Sequence, residues 1–158
     1  MEVKIETVSK QKHKDYSFNS LDVGKNSFEQ FKATESCPIV FGELLKIAPR
    51  YPIIFTKIKS EFQISSLFSI LKNTNVFIDN NGKWIGSYLP LYFKKLPFAL
   101  FKTEKHVDKI LCFYSGTNLI KEKPSSGYSR FFDKNGDLTK DLNSVIKLLE
   151  AIDKNRIK

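Results

Sequence analysis

The chain has 158 residues, a length that suits one domain. Hydrophobic residues make up 41% and charged residues 27%, which supplies a real core and argues against disorder over most of the chain. Net charge is +9, yet arginine occurs only at Arg50, Arg130 and Arg156; a lysine-borne charge fits solubility better than base reading, where the arginine fork is the usual tool.

Residues 1–8 alternate, with Val3, Ile5 and Val8 against Glu2, Lys4 and Glu6. That pattern predicts a short strand with one buried face. The same opening lacks the apolar run of a secretory signal, and no stretch approaches the ~20 apolar residues that cross a bilayer. The expected location is cytoplasmic as synthesised, which leaves association with a surface or viral assembly open. Residues 9–34 are polar with isolated anchors, Tyr16, Phe18, Leu21, Val23, Phe28 and Phe31, and read as extended segments and turns.

In "ESCPIVFGELLKIAPRYPIIFTKI", Ser36 is a candidate N-cap and Pro38 suits a first helical turn, where its missing N–H costs little. The expectation is a proline-led helix over about 38–48, a corner at Pro49, and a buried strand over 53–58 after Pro52. Residues 61–71 are read as a second strand. "NVFIDNNGKWIGSY" predicts a β-hairpin, because Asn-Gly tolerates the positive φ angles of a tight turn. "YLPLYFKKLPFAL" predicts a short helical turn over about 90–96, bounded by Pro90 and Pro97, and then a strand from Phe98. Residues 109–114 form its partner strand across the polar turn 103–108.

Residues 121–129 are a loop, and "FFDKNGDLT" repeats the earlier turn logic. Leu142, Val145, Ile146, Leu149 and Ile152 line one face of an amphipathic helix over about 139–154, capped by Thr139 or Asp137. The basic end, Lys154 to Lys158 with Arg156, suits the negative end of a helix dipole. Together these elements predict an α+β fold, a mostly antiparallel sheet with three helical pieces. It would be one domain over 1–158, less regular over 1–35, with no internal domain repeat.

The residues offer little catalytic chemistry. Cys37 and Cys112 are too few for a disulfide framework, and with His13 and His106, both in polar surroundings, they lack metal-ligand spacing. No metal and no cofactor is expected. Cys112 sits in an apolar strand and reads as inert, while Cys37 at a helix start would have a lowered thiol pKa. Asp133 to Asp137 begin like a calcium loop, but Leu138 and Ser144 stand where the glycine and glutamate would be needed, so a turn leading to a helix cap is the better reading. No phosphate-binding glycine loop and no nucleophile elbow is present. Basic and aromatic residues interleave at Phe93-Lys94-Lys95 and Phe101-Lys102, as single-strand binders do, though core packing beside solvated lysine explains them as well.

Taken in order, "PIVFGELLKIAPRYPIIF", the Gly-Trp hairpin, "YLPLYFKKLPFAL" and a late "FFDKNGDLTKDL" before a helix resemble the SapC family, named for its link to bacterial surface-layer gene clusters. The resemblance runs over about 36–150. It is carried by Pro38 and Glu43, by Tyr51-Pro52-Ile53, by Gly82 and Trp84, and by Tyr88, Pro90, Tyr92, Lys94, Lys95, Pro97 and Phe98. Two departures stand out: lysine at 94 or 95 where the family usually has arginine, and an end at Lys158 where members usually continue, as in a short version.

The resemblance implies no established reaction. It makes Glu43, Tyr51, Trp84, Tyr88, Tyr92, Lys94 and Lys95 the candidate binding residues. The first expectation is a non-enzymatic binding or structural accessory protein acting within a larger assembly, with a protein partner. The alternatives are a small enzyme with a pocket joining Glu43, Trp84, Tyr88 and Tyr92 to Lys94 or Lys95, a virus-encoded virion or host-interaction protein, and a basic nucleic-acid-binding domain. Oligomeric state is left open.

Overall fold

In the computed structural model, the described residues are 4–24, 27–58, 60–103 and 106–155. The elements run β1 (Lys4–Thr7), α1 (Lys10–His13), β2 (Ser17–Phe18), a 3-10 turn (Glu29–Phe31), β3 (Ser36–Pro38), a 3-10 turn (Phe41–Glu43) continuing into α2 (Leu44–Ile47), β4 (Ile53–Ile58), β5 (Glu61–Leu67), α3 (Leu91–Lys94), β6 (Phe98–Thr103), β7 (His106–Ser115), β8 (Ile120–Lys121), β9 (Ser129–Arg130) and α4 (Lys140–Lys154). The fold is α+β, and its strand pairs are antiparallel. Packing separates two compact units, residues 1–20 with 95–153, and residues 21–94 with 154–158.

The first unit holds two three-stranded sheets, in the orders β1-β7-β6 and β8-β2-β9. Strand β6 pairs with β7 in the register Phe98 with Phe113 and Ala99 with Cys112; pairing runs into the turn expected over 103–108, Thr103 with His106, and residues 104 and 105 lie outside the described residues. The apolar stripe of α4 buries Leu142, Val145 and Leu149 against Phe18, Phe98, Phe113 and Phe131. Thr139 caps this helix, its hydroxyl accepting from Leu142 N at 3.4 Å. Rings meet edge to face, as between Phe18 and Phe98 at 4.9 Å, the arrangement their quadrupoles favour.

Two expectations for this unit are corrected. Strand β1 forms, but Ile5 is 56% exposed, so it does not supply a buried face; Val3 lies outside the described residues. Glu6 instead stands beside α1, a helical turn that the polar run 9–34 concealed. Residues Arg156 to Lys158 are also outside the described residues, so the basic helix end is described only to Lys154 and Asn155.

The second unit is built on the sheet β3-β5-β4. Strands β4 and β5 form a regular hairpin with Phe55 opposite Ile64 and Lys57 opposite Phe62. The expected helix over 38–48 begins three residues late. Ser36 is no N-cap: Ser36–Pro38 pairs with β5 as β3, and Pro38 tolerates this place because β3 is an edge strand, where a missing N–H breaks no ladder on its outer side. The chain then turns through the 3-10 segment into α2. Helix α3, bounded by Pro90 and Pro97, matches the expectation, and β4 spans the expected residues, though Phe55 on it is 70% exposed and the strand is not buried; β5 ends at Leu67, four residues short of the expected 71.

The hairpin expected at 76–85 is reduced to one bridge, Ile78 with Trp84, and the late turn likewise has one, Phe132 with Leu138. The two turns are copies of each other. Asp79 Oδ1 accepts from Asn81 N and Lys83 N at 2.9 and 2.8 Å; Asp133 Oδ1 accepts from Asn135 N and Asp137 N at 2.8 and 3.0 Å. Gly82 and Gly136 supply φ of 74° and 81°, the left-handed step that an L side chain resists. The aspartate satisfies two turn amides, so the turn needs no strand ladder to hold it. One local motif, Asp-x-Asn-Gly between apolar residues, thus serves each unit once.

Candidate functional site

The candidate residues of the second unit meet through one carboxylate. Glu43 ends the 3-10 turn before α2 and is only 1% exposed. Its Oε1 accepts from Val40 N at 3.2 Å, the return half of a capping box on its own turn. Its Oε2 accepts from the Tyr88 hydroxyl at 3.0 Å and from Leu91 N at 2.9 Å. Leu91 opens α3, so Glu43 satisfies an orphan amide of a helix that lies far away in sequence.

Tyr51 and Trp84 hold the same loop from the other side. Tyr51 follows α2, its amide bonded to Ile47 O at 2.9 Å. Its hydroxyl donates to Tyr88 O and accepts from Tyr88 N, the latter at 3.2 Å. Trp84 Nε1 donates to Tyr88 O at 3.2 Å. Gly86 lets the chain pass this cluster, since a Cβ there would stand 2.8 Å from Trp84 Nε1 and overlap the Tyr51 hydroxyl. Below lie Phe68, Phe77 and Phe93; Trp84 is 5.5 Å from both Phe68 and Phe93.

Burial raises the Tyr88 hydroxyl well above its ordinary pKa, and the Glu43 carboxylate that it donates to raises it further. Burial also raises Tyr51, partly offset by its bond to the Tyr88 backbone. Both phenols are therefore held as neutral donors. Lys94 Nζ lies 5.6 Å over the Tyr88 ring, within cation–π range.

Glu43, Tyr51, Trp84, Tyr88 and Lys94 thus come together. Tyr92 sits half-buried on α3. Lys95 opens the second segment of the other unit. The arrangement is a clamp: a general base needs a lone pair open to its substrate, whereas Glu43 is buried and both its oxygens already accept from the protein's own N–H and O–H groups.

Cys37 departs from expectation. It lies on β3 and not at a helix start, and burial pushes its thiol up to about 12, against the lowering expected. Cys112 is buried on β7. Of the interleaved aromatics, Phe93 is buried and Phe101 is partly exposed. Among the described residues, no three of His, Cys, Asp and Glu gather as metal ligands, and no helix is long and apolar enough to cross a membrane.

His13 does not lie in the polar surroundings that its lysine-rich run suggests. It is 3% exposed, edge-on to Tyr16 at 4.7 Å and to Phe113 at 5.0 Å. Its Nδ1 accepts from Ser9 N at 3.0 Å, which leaves the proton on Nε2, 3.6 Å from Glu6 Oε2. The available signal was its place three residues before Tyr16, one helical turn within a lysine-rich run.

A mostly antiparallel α+β scaffold with a carboxylate-and-tyrosine clamp at its proline-bounded turn is the class of structure these residues define. The family model of SapC matches residues 8–158, nearly the whole chain, and the chain belongs to the SapC family. No curated protein and no solved structure matches it.

Proposed function

We propose that this SapC-family chain is a non-enzymatic binding module that works inside a larger protein assembly, of which a surface layer or a virion would be instances. The observation that carries the reading is the β4–β5 hairpin. Strand β4 stands at the edge of its sheet. Phe55 and Phe62, diagonal neighbours on one face, are 70% and 65% exposed. Exposed phenylalanines beside an edge that is unpaired among the described residues are costly in isolation and invite a further strand. The partner that fits is a protein offering an extended apolar segment, with backbone pairing along β4 and side chains against the two rings. Lys57 Nζ, 5.9 Å over the Phe62 ring, would mark the polar rim. The clamp at Glu43 supports the same reading, because it uses the most enzyme-like residues for structure.

The test is reconstitution with a partner purified from the native host. Binding should protect the amides of residues 53–58 from hydrogen exchange. The double variant F55S/F62S, folded by circular dichroism, should lose that protection and release the partner. Retained binding in the variant overturns the proposal. So does steeply salt-sensitive retention on single-stranded DNA without a protein partner, which would favour the nucleic-acid reading.

A further inference from the structure

The first unit carries a groove of about 520 Å³ that the clamp and the hairpin do not touch. Its walls are α1, the start of the chain segment after β9, and the Asp133 turn. Four cations line it, Lys10, Lys14, Arg130 and Lys134, against two carboxylates, Asp15 and Asp133. Both carboxylates are engaged: Asp15 Oδ1 is 3.3 Å from Arg130 Nη2, and Asp133 Oδ1 holds the two turn amides. Lys14 and Lys134 have no carboxylate partner among the described residues.

Two of the cations are set in place beforehand. Lys10 crosses the turn, donating from Nζ to Asn135 O at 3.3 Å. It packs so closely that a Cβ at Gly136 would overlap its Cε and Nζ. Arg130 is fixed through Nη2 alone, to Asp15 and to Lys14 O at 3.4 Å; its other N–H groups have no partner among the described residues. A guanidinium fork anchored at one end and open at the other is suited to an oxyanion with several oxygens.

We propose that this groove binds a small phosphate-bearing molecule of about nucleotide size, with the phosphate between Arg130 and the lysines. The excess of two positive charges matches a dianionic phosphate better than a single carboxylate. The groove is open on one side, its volume is in the usual range for ligand clefts, and the buried Phe132 ring gives the apolar part of a ligand a floor.

Adenosine diphosphate is a suitable probe, titrated by calorimetry at low salt, with inorganic phosphate as competitor and adenosine as the uncharged control. Saturable binding of the diphosphate, displaced by phosphate and weakened about tenfold in K14Q/K134Q, is expected. Lys147, exposed on α4, supplies the control K147Q, which should bind as the parent does. Equal loss in K147Q, equal binding of adenosine, no saturable binding, or an affinity for oligonucleotides that grows with their length each overturns the proposal. Vesicles of phosphatidylcholine with phosphatidic acid separate two sources of the same chemistry. Capture on them with the K14Q/K134Q dependence, and no diphosphate binding, overturns the soluble small-molecule ligand and assigns the phosphate to a lipid headgroup.

Discussion

The carboxylate of Glu43 accepts the hydroxyl of Tyr88 at 3.0 Å, and the same oxygen holds the first amide of α3. Removing the carboxylate strands two N–H groups and one O–H in a buried place. Glu43→Ala should therefore destabilise the protein by about 3 kcal/mol, and Glu43→Gln by less because it keeps one acceptor. Urea unfolding measures both. An unchanged midpoint in Glu43→Ala would show that the clamp holds nothing.

Tyr88 also couples the clamp to pH. Its folded pKa lies above its unfolded value of about 10, so its contribution to stability is complete below pH 10. As pH rises further the unfolded chain loses the proton first, and the contribution fades until the folded hydroxyl ionises as well. Tyr51 acts in the same direction. In Tyr88→Phe the loss of stability above pH 10 should be shallower than in the parent, whatever the offset at neutral pH. Parallel curves would contradict the assignment.

Gly86 passes beside the Tyr51 hydroxyl and Trp84 Nε1. A methyl group there must push one of them away from the Tyr88 carbonyl. Gly86→Ala should cost about 1–3 kcal/mol and alter the emission of Trp84, the single tryptophan of the chain. A stable variant with unchanged fluorescence would mean the loop has room that the contacts deny.

The Cys37 thiol, buried and pushed up to about 12, carries very little thiolate at pH 8. Cys112 is buried as well. Aromatic disulfide reagents should titrate no fast thiol in the native protein and both in denaturant. A rapid native reaction at Cys37 would require an opening of β3.

The secondary structure was legible where the signal is local. Pro52 and the apolar run after it marked β4, alternation marked β5, the flanking prolines bounded α3, and the spacing of Leu142, Val145 and Leu149 marked the buried stripe of α4. Each depends on residues a few positions apart. The misreadings arose where a distant partner decided the outcome. Pro38 looks like a helix start, but β5 claims Ser36 to Pro38 as a strand through backbone pairing. His13 looks solvated among lysines, but Phe113 and Phe131, about a hundred residues on, close over it.

The sequence by itself determined the family, the α+β class and the turns at Asp79 and Asp133, and it marked the residues around Tyr88 as candidates. Their jobs were decided only in three dimensions. A glutamate at 43 and tyrosines at 51 and 88 read equally well as catalytic groups or as supports, since composition and order say nothing about which lone pairs remain free. Folding brings Val40, Tyr88 and Leu91 to one carboxylate and uses its acceptors. It also leaves Phe55 and Phe62 exposed and gathers Lys10, Lys14, Arg130 and Lys134 around one groove, because burial and charge density are properties of the folded surface, set by contacts between residues far apart in the chain.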